Sequence, residues 1–301
     1  MSGFRLDTIS TKRMPSKRTV RVAALYTYPI KSCAGIATDT LRFDDLGPLD
    51  DRRWMLIDQH QQFITQREVP GLALVRPARV DGGLRVLAPG MPALTVNGSG
   101  GARCVTWCWD DRCVGFDEGD AAAEWFSAVT GRTARLLRFD STVPRASDRH
   151  WVGAASGQPG ALTRFSDGFP LLVISTASIA ELDRRLIDAD LPPAPTQRFR
   201  PNVVIEGLDA FEEDLIDTLT IGAPDSNPVV LQLVKPCTRC TITEVDPATG
   251  QHGAGLLQVL SLFRGDPKLG GAVTFGQNAI ISEGLGGMLK VGDPIEVAHR
   301  F

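Results

Sequence analysis

The sequence has few of the residues from which metal clusters and disulfide frameworks are built, with six cysteines and four histidines among 301 residues. The histidines form no His-x-His or His-x3-His pair. A structural zinc site takes four ligands, usually in two closely spaced pairs, and histidine supplies neither pair here. The hydrophobic content of 43% and the charged content of 22% are typical of a globular protein long enough for two domains or one large one.

Long apolar runs and an excess of positive charge are also missing. No run approaches the ~20 apolar residues that a membrane-spanning helix needs, and no short apolar core follows the basic start as a secretory signal requires. The formal net charge of −3 argues against a nucleic-acid partner. We therefore expect a soluble protein of the reducing cytosol, where cysteines are more often ligands, nucleophiles or packing residues than disulfides.

Residues 1–19 combine basic residues with serine, threonine and proline and show no apolar period. This composition predicts a mobile N-terminal arm, with a partner-docking or targeting arm as the alternative.

Strand patterns outnumber helix patterns in the rest of the chain. A strand ended by Pro29 is indicated in VRVAALYTYPIKS at 20–32. Two hairpins follow, in RRWMLIDQHQQFITQRE around a polar turn at 59–62 and in RCVTWCWDDRCVGF around Asp110 and Asp111. Short strands with closely spaced turns favour a barrel or sandwich over a parallel sheet. The sequence therefore predicts a β-rich α+β fold.

Two helices are predicted with distinct ends. The first has Asp120 as N-cap and stops at Gly131, and the second opens on Ser175 or Thr176 and is closed by Pro192. The buried strand FPLLVIS precedes the second helix. Between the helices, residues 141–168 are polar and rich in glycine, serine and proline, which predicts an inter-domain or lid segment.

Three cysteines belong to the second hairpin. On an extended strand, Cys104 and Cys108 lie ~13 Å apart and cannot ligate one metal. If Asp110 and Asp111 form the turn, Cys108 faces Cys113 across the hairpin. In the cytosol we expect this pair to be small packing residues.

The segment KPCTRC places Cys237 and Cys240 three residues apart. A zinc site lacks a second ligand pair, and a thioredoxin-like dithiol needs a following helix, whereas TITEVDPATG is typical of a strand and a turn. The pattern favours a loop after a strand at 229–234 that carries a thiol beside Lys235 and Arg239. Neighbouring cations favour the thiolate, which binds soft metals or acts as a nucleophile.

Several segments resemble, in order, those of the MOSC family. They are YPIKSCAGI, DRRWMLID, FSDGFPLLVIS, RFRPNVVIEGLDAFEEDLIDTLTIG, KPCTRCTITEVDPATG and FGQNAIISEGLGGMLKVGDPIEV. The resemblance covers residues 20–298 and is strongest to members with an extra N-terminal β-barrel domain, as in the mitochondrial amidoxime-reducing component and its bacterial relatives. It implies an N-terminal β-barrel-like domain with a connecting helix at 20–140, and a MOSC-type β-barrel domain with a few helices at 141–301.

The resemblance also implies a site for the molybdenum cofactor. Cys240 corresponds to the molybdenum ligand, Cys237 to a structural neighbour, and Asp167 to a residue at the open side of the metal. The positions that match the pterin site are Lys31, Ser32, Arg52, Arg200, Asn202 and Thr238. Lysine and arginine suit the phosphate of molybdopterin, hydroxyl groups can donate to the same oxygens, and an asparagine amide can bind a pterin edge. Arg53 and Arg198 are alternatives to Arg52 and Arg200.

The function implied is reduction of N-hydroxylated compounds, such as amidoximes and N-hydroxylated bases, to amines or amidines, with Asp167 as the candidate proton relay. No cysteine follows position 240, so we expect no fused iron–sulfur cluster and an external electron donor: a ferredoxin, a cytochrome b5-like protein or a flavoprotein reductase. The family also contains domains that carry or sulfurate the cofactor without reductase turnover, and this alternative stays open.

Overall fold

The computed structural model describes residues 19–153, 157–223 and 227–300, so the predicted arm lies outside the described residues except for Thr19. Within them the fold is β-rich, with 21 strands and four α-helices. The strands before residue 140 are β1 Val20–Thr27, β2 Ile36–Thr38, β3 Thr40–Asp44, β4 Gly47–Pro48, β5 Trp54–Ile57, β6 Arg76–Val80, β7 Gly83–Leu87, β8 Leu94–Val96, β9 Arg103–Cys108, β10 Asp111–Asp117 and β11 Arg135–Phe139. The later strands are β12 Arg145–Ala146, β13 Leu162–Thr163, β14 Leu171–Ser175, β15 Val203–Glu206, β16 Ile216–Ile221, β17 Val229–Thr238, β18 Gly265–Asp266, β19 Ala272–Glu283, β20 Met288–Lys290 and β21 Pro294–His299. The helices are α1 Asp120–Thr130, α2 Arg149–Val152, α3 Thr176–Asp188 and α4 Leu256–Ser261.

Seven strands form a closed barrel in the order β14, β15, β1, β21, β16, β17, β19, and β19 pairs back onto β14. Neighbouring strands are antiparallel except β14 and β15. Aliphatic residues from every barrel strand fill the interior, including Val173, Val203 and Leu219, each with no exposed surface. The first strand of the chain, β1, thus completes a barrel whose other strands follow residue 170.

A second unit contains a four-stranded antiparallel sheet in the order β5, β11, β10, β9. Alternate residues of β5 point to opposite faces. Trp54 and Leu56 pack in a cluster with Phe126 of α1, and Met55 packs in another with Phe165. The face of this sheet opposite α1 therefore packs against a residue of the polar segment 141–168.

The two predicted helices are present at the predicted places. Helix α3 has Ser175 as N-cap, and its hydroxyl accepts from the Ser178 amide. Helix α1 ends at Gly131 in the left-handed conformation with φ 68°. Its N-cap, however, is Gly119 rather than Asp120, which is already the first helical residue.

The hairpin of β9 and β10 turns one residue earlier than predicted. Trp109 adopts φ 58° and begins the turn, so Cys108 pairs with Asp111 and Cys113 pairs with Thr106. The predicted direct pairing of Cys108 with Cys113 is therefore wrong. Both thiols are free and buried in the cluster around Phe165, as expected of packing residues.

The longest α-helix in the described part of the chain, α3, has 13 residues. No helix there is long and apolar enough to cross a membrane.

A buried carboxylate, Glu213, fixes the start of α3. It accepts from the Ser178 hydroxyl at 2.8 Å and from the Ser175 amide at 3.2 Å, and it has no ion pair among the described residues. Burial raises the pKa of the Glu213 carboxyl above its ordinary value of 4.5, despite these hydrogen bonds. The folded protein therefore holds the Glu213 proton to higher pH than the unfolded chain does.

From this shift we predict the effect of Glu213→Gln. Between the unfolded and folded pKa values the wild type loses stability as pH rises, whereas the neutral amide does not titrate. Thermal unfolding measured from pH 4 to pH 8 should show that the stability of the variant, relative to that of the wild type, increases as pH rises. The control is Glu283→Gln at an exposed position of β19. A difference between variant and wild type that is constant with pH would contradict the prediction.

Candidate functional site

One cavity brings together all the site residues predicted from the sequence. They are Lys31, Ser32, Arg52, Asp167, Arg200, Asn202, Thr238 and Cys240. They come from loops after β1 and before β5, β14 and β15, and from the end of β17. Both units of the fold therefore contribute to its wall.

The cavity is strongly cationic. Among the described residues that line it, Asp167 alone is acidic, and six are basic: Lys31, Arg52, Arg67, Arg198, Arg200 and Arg239. Such an excess of positive groups at one concave surface favours an anionic ligand.

Two of these arginines stack on one buried phenol ring. The guanidinium carbon of Arg52 lies 4.5 Å from the Tyr28 ring centroid, and that of Arg200 lies 4.3 Å from it. Burial, assisted by repulsion from Arg52, lowers the pKa of Arg200 to about 10, so Arg200 is still charged at neutral pH. Its Nη1 donates to the Cys33 carbonyl at 2.7 Å, while Nη2 is buried and has no hydrogen-bond partner in the described part of the chain.

The sequence left two choices open, between Arg52 and Arg53 and between Arg198 and Arg200, and the members of each pair have different contacts in the structure. Arg53 pairs with Asp50 and does not line the cavity, whereas Arg52 does. Arg198 lines the cavity, but its Nη1 donates to the carbonyls of Thr243 and Glu244. Arg198 thus holds the chain beyond the cysteine segment, while a terminal nitrogen of Arg200, Nη2, has no hydrogen-bond partner among the described residues; the inner nitrogen of Arg198, Nε, also has none.

Asn202 is buried and its amide is engaged inside the protein. Its oxygen accepts from Arg52 Nη1 and from the Leu172 amide, each at 3.2 Å. Its nitrogen donates to Asp51 Oδ1 at 3.0 Å and to the Tyr26 carbonyl at 3.3 Å. In this arrangement Asn202 orients Arg52 rather than offering free hydrogen-bonding groups to a ligand.

Lys31 and Asp167 form an ion pair within the cavity. The Lys31 ammonium lies 2.5 Å from Asp167 Oδ1 and donates to the Phe165 carbonyl at 2.8 Å. Desolvation works to raise the pKa of the Asp167 carboxyl, but the charge of Lys31 and its hydrogen bond prevail, and the pKa lies well below the usual range. Asp167 is therefore an ionised acceptor of the Lys31 hydrogen bond at neutral pH.

The loop that carries Asp167 is held by Arg145, which sequence reasoning missed. The buried Arg145 guanidinium donates to the carbonyls of Ser166 and Asp167, the latter at 2.7 Å. It also binds Asp111 Oδ2 at 2.6 Å, at the start of β10. A lone arginine in a polar segment gives no pattern from which this role could be predicted.

Trp109 and Arg67 extend the site at the tip of the hairpin. The Trp109 indole donates to Asp167 Oδ1 at 3.1 Å, and its ring lies 4.7 Å from the Arg67 guanidinium carbon and 5.2 Å from the Phe63 ring. The shifted turn places Trp109 here, so its contact with Asp167 could not be inferred from the expected turn.

The cysteine segment differs from its predicted local structure. Cys237 lies within β17 rather than in a loop, and Cys240 is the N-cap of a 3-10 helix, Thr241–Glu244, where the sequence predicted a strand. The residue Thr243 explains the turn, because its amide and hydroxyl both donate to the Cys240 carbonyl, at 3.1 and 2.9 Å.

The two thiols have different environments. Cys240 is exposed, whereas Cys237 is half-buried and its sulfur lies 3.3 Å from Arg239 Nη1. Burial raises the pKa of the Cys237 thiol, although Arg239 opposes the shift. Lys235 does not approach either sulfur by a hydrogen bond in the described residues, and its ammonium lies 5.5 Å from the Trp151 ring. Arg239 is therefore the cation in contact with Cys237, and the charge of Lys235 acts on the same thiol from farther away and more weakly.

No group of three histidine, cysteine, aspartate or glutamate side chains in the described part of the chain is arranged to hold a metal ion. Any metal bound through Cys240 would need ligands from another source, such as a cofactor.

Comparison with known proteins identifies two domains. Residues 19–133 match the MOSC N-terminal beta barrel domain, and residues 162–296 match the MOSC domain. The chain is 34% identical to the bovine mitochondrial amidoxime reducing component 2 over 76% of this chain and 67% of the relative. It is 32% identical to the human mitochondrial amidoxime-reducing component 1 over 91% and 82%, respectively. It is 30% identical to the human molybdenum cofactor sulfurase over 80% of this chain but 28% of that protein. The chain therefore belongs to the family in which a MOSC N-terminal beta barrel domain precedes a MOSC domain, together with the mitochondrial amidoxime-reducing components.

Proposed function

We propose that this protein is a molybdenum-cofactor-dependent oxidoreductase that reduces N-hydroxylated compounds, such as amidoximes and N-hydroxylated bases, to amidines and amines. A separate redox protein supplies the electrons. The observation that carries the proposal is an exposed thiol, Cys240, in the same cationic cavity as the unmet donor of Arg200. The names of the relatives support the same chemistry.

The residues present fit molybdopterin. Its phosphate requires cationic donors, and guanidinium groups bind phosphate by paired hydrogen bonds. Arg52 and Arg200 are the candidates for this role, and Ser32 and Thr238 carry hydroxyl groups on the same cavity wall. Cys240 offers the soft sulfur ligand that suits molybdenum, and it is the more accessible thiol of the pair.

When bound, the cofactor supplies the two-electron chemistry that cleaves the N–O bond. The overall reaction consumes two electrons and two protons and releases water with the amine or amidine. Lys31 Nζ holds a proton 2.5 Å from Asp167 Oδ1, and we assign this pair to proton delivery at the open side of the cavity. Asp167→Asn should therefore retain molybdenum and lose turnover; loss of the metal would make Asp167 a binding residue instead.

Turnover separates the reductase from a cofactor carrier. The full chain, produced in cells that make the cofactor, should reduce benzamidoxime with an artificial electron donor. Stoichiometric molybdenum in a protein that shows no turnover with any donor would favour the carrier or sulfurase-type module. Bound zinc without molybdenum would exclude both the reductase and the carrier.

The two cysteines provide a matched pair of variants. Cys240→Ala should lose molybdenum, because the exposed sulfur is removed from the cavity. Cys237→Ala should retain it, since that sulfur is half-buried against Arg239. Elemental analysis of purified protein gives the metal content, with Cys104→Ala, outside the cavity, as a further control. Loss of the metal in Cys237→Ala alone would show that the ligand was assigned to the wrong thiol.

Adjacent arginines give a second matched pair. Arg52→Gln removes a cavity cation, whereas Arg53→Gln removes a neighbour that pairs with Asp50 outside the cavity. Loss of a charge-assisted hydrogen bond costs about 1.5–3 kcal/mol, so Arg52→Gln should weaken pterin retention by at least tenfold. Pterin fluorescence after oxidative release measures the content. Equal retention in both variants would argue against Arg52 as a phosphate ligand.

A further inference from the structure

A second cavity lies behind the arginines of the first. It has a volume of about 340 Å³ and shares Arg198 and Arg200 with the first cavity. Two sequence segments that the proposed function leaves partly unused form much of its wall. They contribute Tyr28, Ala34 and Gly35 from YPIKSCAGI, and Val245, Pro247 and Ala248 from the stretch after KPCTRC.

This second cavity is also cationic. Arg76 lines it together with Arg198 and Arg200, and no carboxylate is found among its described lining residues. Arg76 is exposed at the start of β6 and makes no ion pair within the part of the chain that the structure describes. A free cation beside two others favours an anionic ligand here as well.

Unmet hydrogen-bonding groups occur in three of its lining residues. Tyr28 is 1% exposed, and its hydroxyl has no partner among the described residues. The same holds for the buried Arg198 Nε and Arg200 Nη2. Buried polar groups are nearly always hydrogen-bonded, so three unmet groups in residues that line one cavity, two of them in arginines shared with the first cavity, favour a polar ligand near them.

Much of the rest of the wall is apolar. Ala34, Pro195 and Pro247 present small, flat surfaces, and the cavity is also lined by the amide side chains Gln66 and Gln197. A Cβ on Gly35 would lie 2.4 Å from the Tyr28 ring, so glycine is needed for the phenol to pack against this wall.

A hydrogen-bonded turn fixes the opposite wall. Asp246 Oδ1 accepts from the amides of Ala248 and Thr249, at 2.8 and 3.1 Å, and its other oxygen lies 3.3 Å from Arg198 Nη2. The turn thus joins the wall to one of the shared arginines.

We propose that the second cavity binds a nucleoside monophosphate group. The arginines suit its phosphate, the apolar surfaces suit a planar base, and the exposed Gln197 amide can hydrogen-bond to the edge of that base. The group is supplied either as a nucleotide extension of the pterin cofactor or as a free nucleotide. The first source rests on the proposed function, and the second does not.

The test is calorimetric titration of the full chain, purified without cofactor, with GMP and with CMP. We expect one nucleotide bound per chain. Arg76→Ala should weaken binding at least tenfold, and Ala248→Phe, which fills the cavity from an exposed turn, should do the same. Arg85→Ala is the matched control, because Arg85 is exposed on β7 of the same small sheet and does not line the cavity.

Four outcomes would overturn the proposal. They are no nucleotide binding, binding unchanged by both Arg76→Ala and Ala248→Phe, inorganic phosphate binding as tightly as GMP and CMP, and binding abolished by Arg52→Gln but not by Arg76→Ala. The last result would place the nucleotide in the first cavity.

Mass spectrometry of the cofactor released from loaded protein distinguishes the two sources. A pterin dinucleotide indicates the extension, whereas a plain pterin with nucleotide binding by the cofactor-free chain indicates a free nucleotide. Failure to load molybdenum would remove the proposed function but leave the titration interpretable, so the two failures are distinguishable.

Discussion

The packing of two guanidinium groups against one buried ring, that of Tyr28, constrains the centre of the molecule. Arg52 and Arg200 are held close together around this ring, and burial together with repulsion from Arg52 disfavours the charge of Arg200. Asp51 offsets part of this repulsion, since its buried carboxylate lies 2.5 Å from Arg52 Nη1. The remaining positive charge has no described counterion on the Arg200 side, so an anion that enters from either cavity would relieve it.

The backbone around this stack is itself in an uncommon conformation. Ser32, Arg52 and Arg200 all line the first cavity and all have positive φ, at 67°, 45° and 58°. Non-glycine residues adopt this region at a cost, and it persists where surrounding contacts enforce it. Two such contacts are the hydrogen bonds from the Arg52 amide to the Tyr28 carbonyl, at 2.8 Å, and from the Arg200 amide to the Gln197 carbonyl, at 3.2 Å. The chain's own hydrogen bonds therefore contribute to the shape of these loops.

Sequence patterns predicted the β-rich fold and helix α3, because alternation and capping are local properties. They missed local shifts that depend on tertiary contacts. The turn at Trp109 moved by one residue where the indole reaches Asp167, and the 3-10 helix after Cys240 formed where a strand was expected. The candidate residues were placed by family resemblance, and their meeting in one cavity could not have come from spacing, since Lys31 and Asp167 are 136 positions apart. The role of Arg145 could not be predicted for the same reason, since its partner Asp111 is 34 positions away in the sequence.

The contacts of Asp167 explain why one site requires both units of the fold. Its loop is anchored by the Phe165 ring, which packs against the four-stranded sheet of the second unit, while Trp109 and Arg145 connect it to the hairpin of that unit. Cys240, in contrast, follows a strand of the barrel. The distance between the carboxylate and the thiol is therefore set by how the sheet packs on the barrel, not by either unit alone. Because β1 is a barrel strand and leads directly into Tyr28 and Lys31, the barrel and the second unit are connected at the same point where the cations of the cavity are held.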